Sequence, residues 1–214
     1  MTDKIKILFD SFHLYHLPQF DPVIDLLSRD DRFQIFHSTA AVNKKEEREL
    51  CLNILAAKPG TMIYSESEEE RAKMMKELDL DFFVCGWSRY ELDEYISEKT
   101  LAGMIYHGIG VKPSYWRDNH PRLNIRFVEG IYRMNQLRSH GVDKELVLTG
   151  FTKLDPLFSQ NPGFDEKLAQ SLGLDPSKKT ILFAPTFYPS SLERFGMKLG
   201  EYTKNYNVIL KPHM

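Results

Sequence analysis

The sequence predicts an α/β fold built on a parallel sheet, and three observations carry that expectation. Short apolar runs rich in β-branched and aromatic residues alternate with longer stretches of helical periodicity, the pattern of strands joined by crossover helices. The apolar runs, such as IKILFDS and DFFVCGWS, are nearly continuous, which suits strands buried on both faces. The composition, 42% hydrophobic and 27% charged over 214 residues, is that of a globular chain of one to two domains.

The elements follow in order. IKILFDS (5–11) reads as the first strand and PVIDLLSRD (22–30) as the helix after it. RFQIFHS (32–38) is the next strand and VNKKEERELCLNILAAK (42–58) the next helix. TMIYS (61–65) precedes the helix EEERAKMMKELD (68–79), and DFFVCGWS (81–88) precedes ELDEYISEK (91–99). LAGMIYHG (101–108) and IRFVEG (125–130) are strands, the second leading into a helix over 131–140. ELVLTGF (145–151) closes the series. SESEEER (65–71) is a concentrated, mainly acidic charge run. Its pairs Ser67–Arg71 and Glu69–Lys73 sit four apart, so it reads as the first turns of a solvated helix.

The pattern changes after Phe158. SQNPGF (159–164) is polar and turn-rich and reads as a linker between a first domain at 1–158 and a second at 165–214. The second domain shows a helix (165–174), a strand (179–187), a helix (191–205) and the strand NVILKPH (207–213). A doubly wound nucleotide-binding domain has about six strands, so this reads as the truncated start of one. Val208, Ile209 and Leu210 would then border an unpaired edge. The competing expectation is that the last two strands join the first sheet.

A formal net charge of -2 and a pI near 6.4 lack the basic footprint of a nucleic-acid binder. Cys51 and Cys85 have no motif spacing and read as small core hydrophobes in a reducing compartment. MTDKIKILFD enters a strand pattern directly, without the apolar core of a signal peptide. The apolar run at 100–111 is shorter than the ~18 residues of a membrane span. The expected location is the cytoplasm, with peripheral contact at the inner face of the membrane left open.

In open parallel sheets, ligands bind beyond the carboxyl ends of the strands. That rule selects four groups. His107 ends the fifth strand and is followed by Gly108, Gly110 and Lys112. A neutral imidazole can take a proton from a hydroxyl near neutral pH, and glycine lets backbone N–H groups approach an anion. The bland alternative is a core histidine. The second group is GFTKLD (150–155), with Lys153 and Asp155, which could instead be a turn with a local salt bridge. The third is Ala184-Pro185-Thr186, or an ordinary loop. The fourth is Lys211 and His213 in LKPH, a diphosphate clamp or surface residues near the chain end. His13 and His16 lie three apart near the first strand's exit but lack a third ligand, so no metal site is expected. Trp87, Tyr90, Tyr115 and Trp116 read as core or cleft walls.

In this order the four groups resemble the CDP-glycerol glycerophosphotransferase family of teichoic-acid and capsule polymerases. The resemblance spans roughly residues 100 to 213. It implies a GT-B fold of two Rossmann-like domains: an acceptor-side domain at 1–158 and an incomplete nucleotide (donor) domain at 165–214, with the active site between them. It implies His107 as the catalytic base, and Lys112, Thr186, Lys211 and His213 as donor or phosphate ligands. Gly108, Gly110, Lys153 and Asp155 are implied as cleft support. It implies a CDP-glycerol or other nucleotide-diphosphate donor, a polyol-phosphate or glycan acceptor, and no cofactor, metal or nucleic acid. The sequence departs from the family's usual pattern at Thr152, where proline is common, and at Phe187 and Tyr188, near which an arginine is common. A UDP-GlcNAc 2-epimerase-like protein or a GT-B glycosyltransferase would share the Gly150–Asp155 segment. A binding module or inactive lobe needing a partner is the non-enzymatic alternative. The 214 residues alone are expected to show no transferase turnover.

Overall fold

The computed structural model describes residues 4–87, 91–110, 112–117, 119–159, 165–185 and 189–212. The chain divides into two compact units, Met1–Asn161 and Pro162–Met214. Of the expected linker at 159–164, residues 160–164 lie outside the described residues.

The first unit is built on seven strands: β1 (Ile5–Ser11), β2 (Phe33–Thr39), β3 (Thr61–Ile63), β4 (Phe82–Cys85), β5 (Leu101–Ile105), β6 (Ile125–Val128) and β7 (Glu145–Leu148). They form one sheet in the order β3-β2-β1-β4-β5-β6-β7, and every pairing is parallel. The register runs Ile7↔Phe82 between β1 and β4, and Phe82↔Leu101 between β4 and β5. The chain moves outward from β1 to β3, then returns beside β1 and moves outward to β7. The reversal between β1 and β4 is a topological switch point, the usual place for a ligand in such sheets.

The two-residue period of a strand divides the core between the faces. Leu8, Phe36, Phe83, Met104 and Val128 join one buried cluster with Met75, Leu92 and Leu137. Ile7, Phe9, Ile35 and Val84 join another with Phe20 and Ile24. These last two belong to α1 (Leu17–Leu27), which begins five residues before the expected start at Pro22. Pro18 lies in the first turn, where no intrahelical N–H bond is lost. Pro22 removes one bond inside the helix. Complete burial of Phe20 and Ile24, worth about 1.5–3 kcal/mol each, carries the helix through it.

The crossover helices are α2 (Lys45–Ala56), α3 (Glu68–Glu77), the single turns α4 (Leu92–Tyr95) and α5 (Ser114–Arg117), and α6 (Ile131–Ser139); α7 (Asp155–Ser159) follows the last strand. α5 and α7 carry no periodic signal in the sequence. α3 starts at Ser67, whose side chain accepts from the Glu70 N–H, as its charge pattern suggests. Its solvated reading fails at Arg71, which is wholly buried. The guanidinium donates to Asp10 Oδ1 and Ser38 Oγ, each at 2.8 Å, and pairs with Glu68. The helix is therefore pinned onto the carboxyl ends of β1 and β2.

The second unit contains α8 (Glu166–Ser171), β8 (Thr180–Phe183), α9 (Leu192–Phe195), α10 (Leu199–Tyr202) and β9 (Asn207–Leu210). The expected helix at 191–205 is broken by a 3-10 turn at Gly196–Lys198. β8 and β9 pair in parallel as a separate two-stranded sheet, so the last strands do not join the first sheet. The Asn207 side chain ties their base, donating to the Asp175 carbonyl at 2.8 Å and accepting from the Asp175 N–H at 3.0 Å. The sheet buries little: Leu182 is 61% and Leu210 46% exposed. Among the described residues, no helix is long and apolar enough to cross a membrane.

Candidate active site

His107 follows β5 and buried Tyr106, at the carboxyl edge of the seven-stranded sheet. Its Nδ1 lies 2.8 Å from the carbonyl oxygen of Gly86, just past the end of β4. A carbonyl can only accept, so Nδ1 carries the proton and donates, and Nε2 presents a lone pair. The half-buried ring is held below its ordinary value of 6.5. Burial is the main cause; the Gly86 bond opposes it, and Lys112, Lys153 and His13 add to the lowering. At neutral pH the ring is an oriented, uncharged proton acceptor.

The chain leaving β1 packs against this ring. The rings of Tyr15 and His16 each lie 5.2 Å from that of His107, and Tyr115 lies at 6.3 Å. His16 is wholly buried and held well below 6.5, by burial first and then by His107 and His13. A Cβ placed on Gly86 would lie 2.8 Å from His16 Cγ. Glycine at 86 is therefore what lets one peptide fit against His16 while accepting from His107. His13 Nδ1 sits 3.2 Å from Glu47 Oε1, which also accepts from the Leu14 N–H at 3.0 Å. Trp87 meets Phe12 edge-on at 5.1 Å. Among the described residues, no group of three His, Cys, Asp or Glu is placed to hold a metal ion. The sequence suggests His13 and His16 only as metal ligands; the structure sets His16 against His107, with His13 next to His16. Their position at the exit of β1, next to the switch point, was the available signal.

The HGIG loop folds over Tyr115. A Cβ on Gly108 would lie 3.2 Å from the Tyr115 hydroxyl, and one on Gly110 3.2 Å from the same ring. Two buried arginines, neither singled out by the sequence reading, fix this loop. Arg133 of α6 donates to Glu129 at 2.9 Å, to Gln136 at 2.7 Å and to the Gly110 carbonyl. Its guanidinium also lies 4.5 Å from the Tyr115 ring centre. Arg126 of β6 donates to the Tyr106 hydroxyl at 2.8 Å, the Tyr115 carbonyl at 2.9 Å and Asn119 Oδ1 at 2.7 Å. A buried cation is tolerated only with such a set of acceptors. Trp116 stacks on His140 at 4.4 Å; Tyr90 lies outside the described residues.

Lys153 sits in a 3-10 turn, Thr152–Leu154, tied to α1 by the Thr152 hydroxyl, which donates to the Gln19 carbonyl at 2.6 Å. Asp155 opens α7, and the local Lys153–Asp155 bridge does not form. Lys112 and Lys153 are exposed, and neither has a carboxylate partner among the described residues. The first unit thus gathers His107, Gly108, Gly110, Lys112 and Lys153. Lys211 belongs to the second unit, exposed beyond β9, its N–H donating to the Phe183 carbonyl at 2.9 Å. Thr186 and His213 lie outside the described residues.

Residues 126–214 match the model of the family described as CDP-Glycerol:Poly(glycerophosphate) glycerophosphotransferase, the family whose motifs the sequence resembles. The match takes in GFTKLD and the second unit and begins after His107. A search of curated proteins finds no match. Among solved structures, the chain is similar to a protein from Listeria monocytogenes assigned as a UDP-N-acetylglucosamine 2-epimerase (TM-score 0.66, 14% identity, covering 100% of this chain and 64% of that one). It is similar to the UDP-GlcNAc 2-epimerase of Neisseria meningitidis bound to UDP-GlcNAc (0.61, 13%, 99% and 66%). It is also similar to the MnaA–UDP complex of S. aureus (0.63, 11%, 99% and 63%). The chain spans just under two thirds of the length of these proteins. At such identities the likeness is one of fold, the GT-B-like α/β architecture expected from the sequence.

Proposed function

We propose that the chain is part of a glycerophosphotransferase that moves glycerol phosphate from CDP-glycerol to a hydroxyl of a polyol-phosphate or glycan acceptor. The observation that carries this reading is the Nδ1–H···O=C bond from His107 to Gly86 at 2.8 Å, which leaves Nε2 ready to accept a proton. The acceptor oxygen attacks the phosphorus bearing the glycerol. Its proton passes to His107 Nε2, and the bond between that phosphorus and the bridging oxygen breaks, its electron pair leaving with CMP. Phosphoryl transfer depends mainly on positioning and charge balance. We assign the charge on the donor phosphates to Lys211, Thr186 and His213. Gly108 and Gly110 let the loop beside the base fold tightly, and Asp155 opens the helix after Lys153. The family match over residues 126–214 supports this assignment. The reading extends to a teichoic-acid or capsule polymer as acceptor, met by the protein from the cytoplasmic side of the membrane.

The test is CMP release and acceptor elongation by the protein as its gene encodes it. General-base help is worth about 10²–10⁴ in rate, so His107→Ala should lose that much turnover while still unfolding cooperatively, its stability lowered by about 0.5–1.5 kcal/mol through the lost Gly86 bond. Turnover within a few-fold of wild type removes His107 from the mechanism. The competing reading is a sugar-nucleotide epimerase or glycosyltransferase, favoured by the fold of the neighbours and by the Gly150–Asp155 segment. Uridine nucleotide release, or epimerisation of UDP-GlcNAc, without CMP release would replace the proposal.

A further inference from the structure

Two cations are carried by segments that border the proposed base, on the same unit. Lys112 lies two residues beyond Gly110, whose carbonyl is held by Arg133. Lys153 is set by the Thr152–Gln19 bond against α1, and His16, which immediately precedes that helix, packs its ring against His107. Both ammonium groups are exposed and lack a carboxylate partner among the described residues. An ammonium group only donates hydrogen bonds, so the pair is suited to an anion. Lys211 is on the other unit.

We propose that Lys112 and Lys153 form the subsite for the last phosphate of the acceptor chain, so that the terminal glycerol hydroxyl reaches His107. The inference rests on the transferase reading and moves Lys112 from the donor phosphates to the acceptor. In a chain of glycerol phosphates, the attacking hydroxyl and the preceding phosphodiester belong to the same three-carbon unit. A base that takes the proton of that hydroxyl must therefore have a phosphate one glycerol away. The Tyr15 and Tyr115 rings beside His107 supply flat walls for the glycerol carbons. An acceptor with no phosphate near its terminal hydroxyl gains nothing from the two lysines.

The experiment has two arms. In the first, Lys112→Gln and Lys153→Gln are introduced singly and together into the protein as its gene encodes it, and KM is measured for acceptor and donor separately. An exposed charge contact corresponds to about fivefold in affinity; each variant should raise the acceptor KM by that order, the double variant by more, with the KM for CDP-glycerol unchanged. A rise in the CDP-glycerol KM with the acceptor KM unchanged returns the lysines to the donor and overturns the inference. The second arm needs no turnover. sn-Glycerol 3-phosphate is titrated into protein carrying 13C-labelled histidine, with glycerol as control. The His107 resonance should shift with the phosphate ester and not with glycerol, and the double variant should abolish the shift. A shift that survives in the double variant overturns the inference. If no donor supports turnover yet the lysine-dependent shift is present, the transferase reading fails and the anion subsite stands.

Discussion

Replacing Gly86 by alanine tests the geometry around His107 at its tightest point. The added Cβ would lie 2.8 Å from His16 Cγ, 2.9 Å from Cδ2 and 3.0 Å from Nδ1. The His16 ring cannot easily yield. It is wholly buried and faces the rings of Tyr15 at 4.7 Å and His107 at 5.2 Å. Overpacking at such a site costs about 1–3 kcal/mol. If the peptide shifts instead, the His107 bond to the Gly86 carbonyl lengthens, forfeiting about 0.5–1.5 kcal/mol and the constraint on the tautomer. Urea unfolding of the first unit, followed through Trp87, should show the loss. Nitrogen NMR of His107 should show the proton no longer confined to Nδ1. The clash can be isolated with His16→Ala. In that background Gly86→Ala should cost less than about 0.5 kcal/mol, because the pair is coupled through one contact. If Gly86→Ala in the presence of His16 leaves both stability and the His107 proton unchanged, the packing described here is wrong.

Arg71→Ala should destabilise the first unit by about 3–5 kcal/mol, since it strands the buried Asp10 carboxylate; the Arg71→Ala/Asp10→Ala pair should cost less than the sum of the single changes in the same urea assay. Burial pushes the Cys51 thiol up to about 11 and the Cys85 thiol up to about 12. Neither should react with iodoacetamide in the folded protein at mildly alkaline pH, and both should react in urea, as read by mass spectrometry; rapid labelling of native protein would contradict their burial. His16 is neutral in the fold, with its pKa well below 6.5, so the unfolded chain binds the extra proton first. Its contribution is present above 6.5 and is lost as pH falls below that value toward the folded pKa. Urea stability measured over this range should decline on acidification, and His16→Gln should flatten the decline.

The seven-stranded sheet was legible because its strands are short, mostly apolar runs, nearly continuous in the central ones that are buried on both faces. The place of His107 at the carboxyl edge of the sheet was legible for a related reason: the ring ends such a run. The start of α1 was not. Pro22 reads locally as a helix start, and only the burial of Phe20 and Ile24 carries the helix through it. Arg71 was misread because i,i+4 charge spacing reports a helix and says nothing about which side faces the sheet. Its partner Asp10 is 61 residues away in sequence. Arg126 and Arg133 escaped notice for the same reason. Each has acceptors on the loop between β5 and β6, although Arg133 also bonds Glu129 and Gln136 on its own segment, and no local pattern pairs a strand arginine with a distant tyrosine carbonyl.

The charges around His107 act on its basicity as well as on ligands. Burial is the larger cause of its lowered pKa; Lys112, Lys153 and His13 supply the rest of the lowering. The ring is therefore held neutral, its proton affinity reduced by burial first and by the cations after it. A phosphate in the proposed subsite would offset the field of those cations and raise that affinity again, while the burial contribution remained. By linkage, whatever strengthens proton binding at His107 when the anion is present equally strengthens anion binding when the ring is protonated. On the proposed acceptor subsite, the ring would gain basicity when a phosphorylated acceptor binds, and the protonated ring would in turn favour retaining the anion. An anion near a histidine raises its proton affinity with or without neighbouring cations; what the two lysines would add is a reason for the anion to stay there.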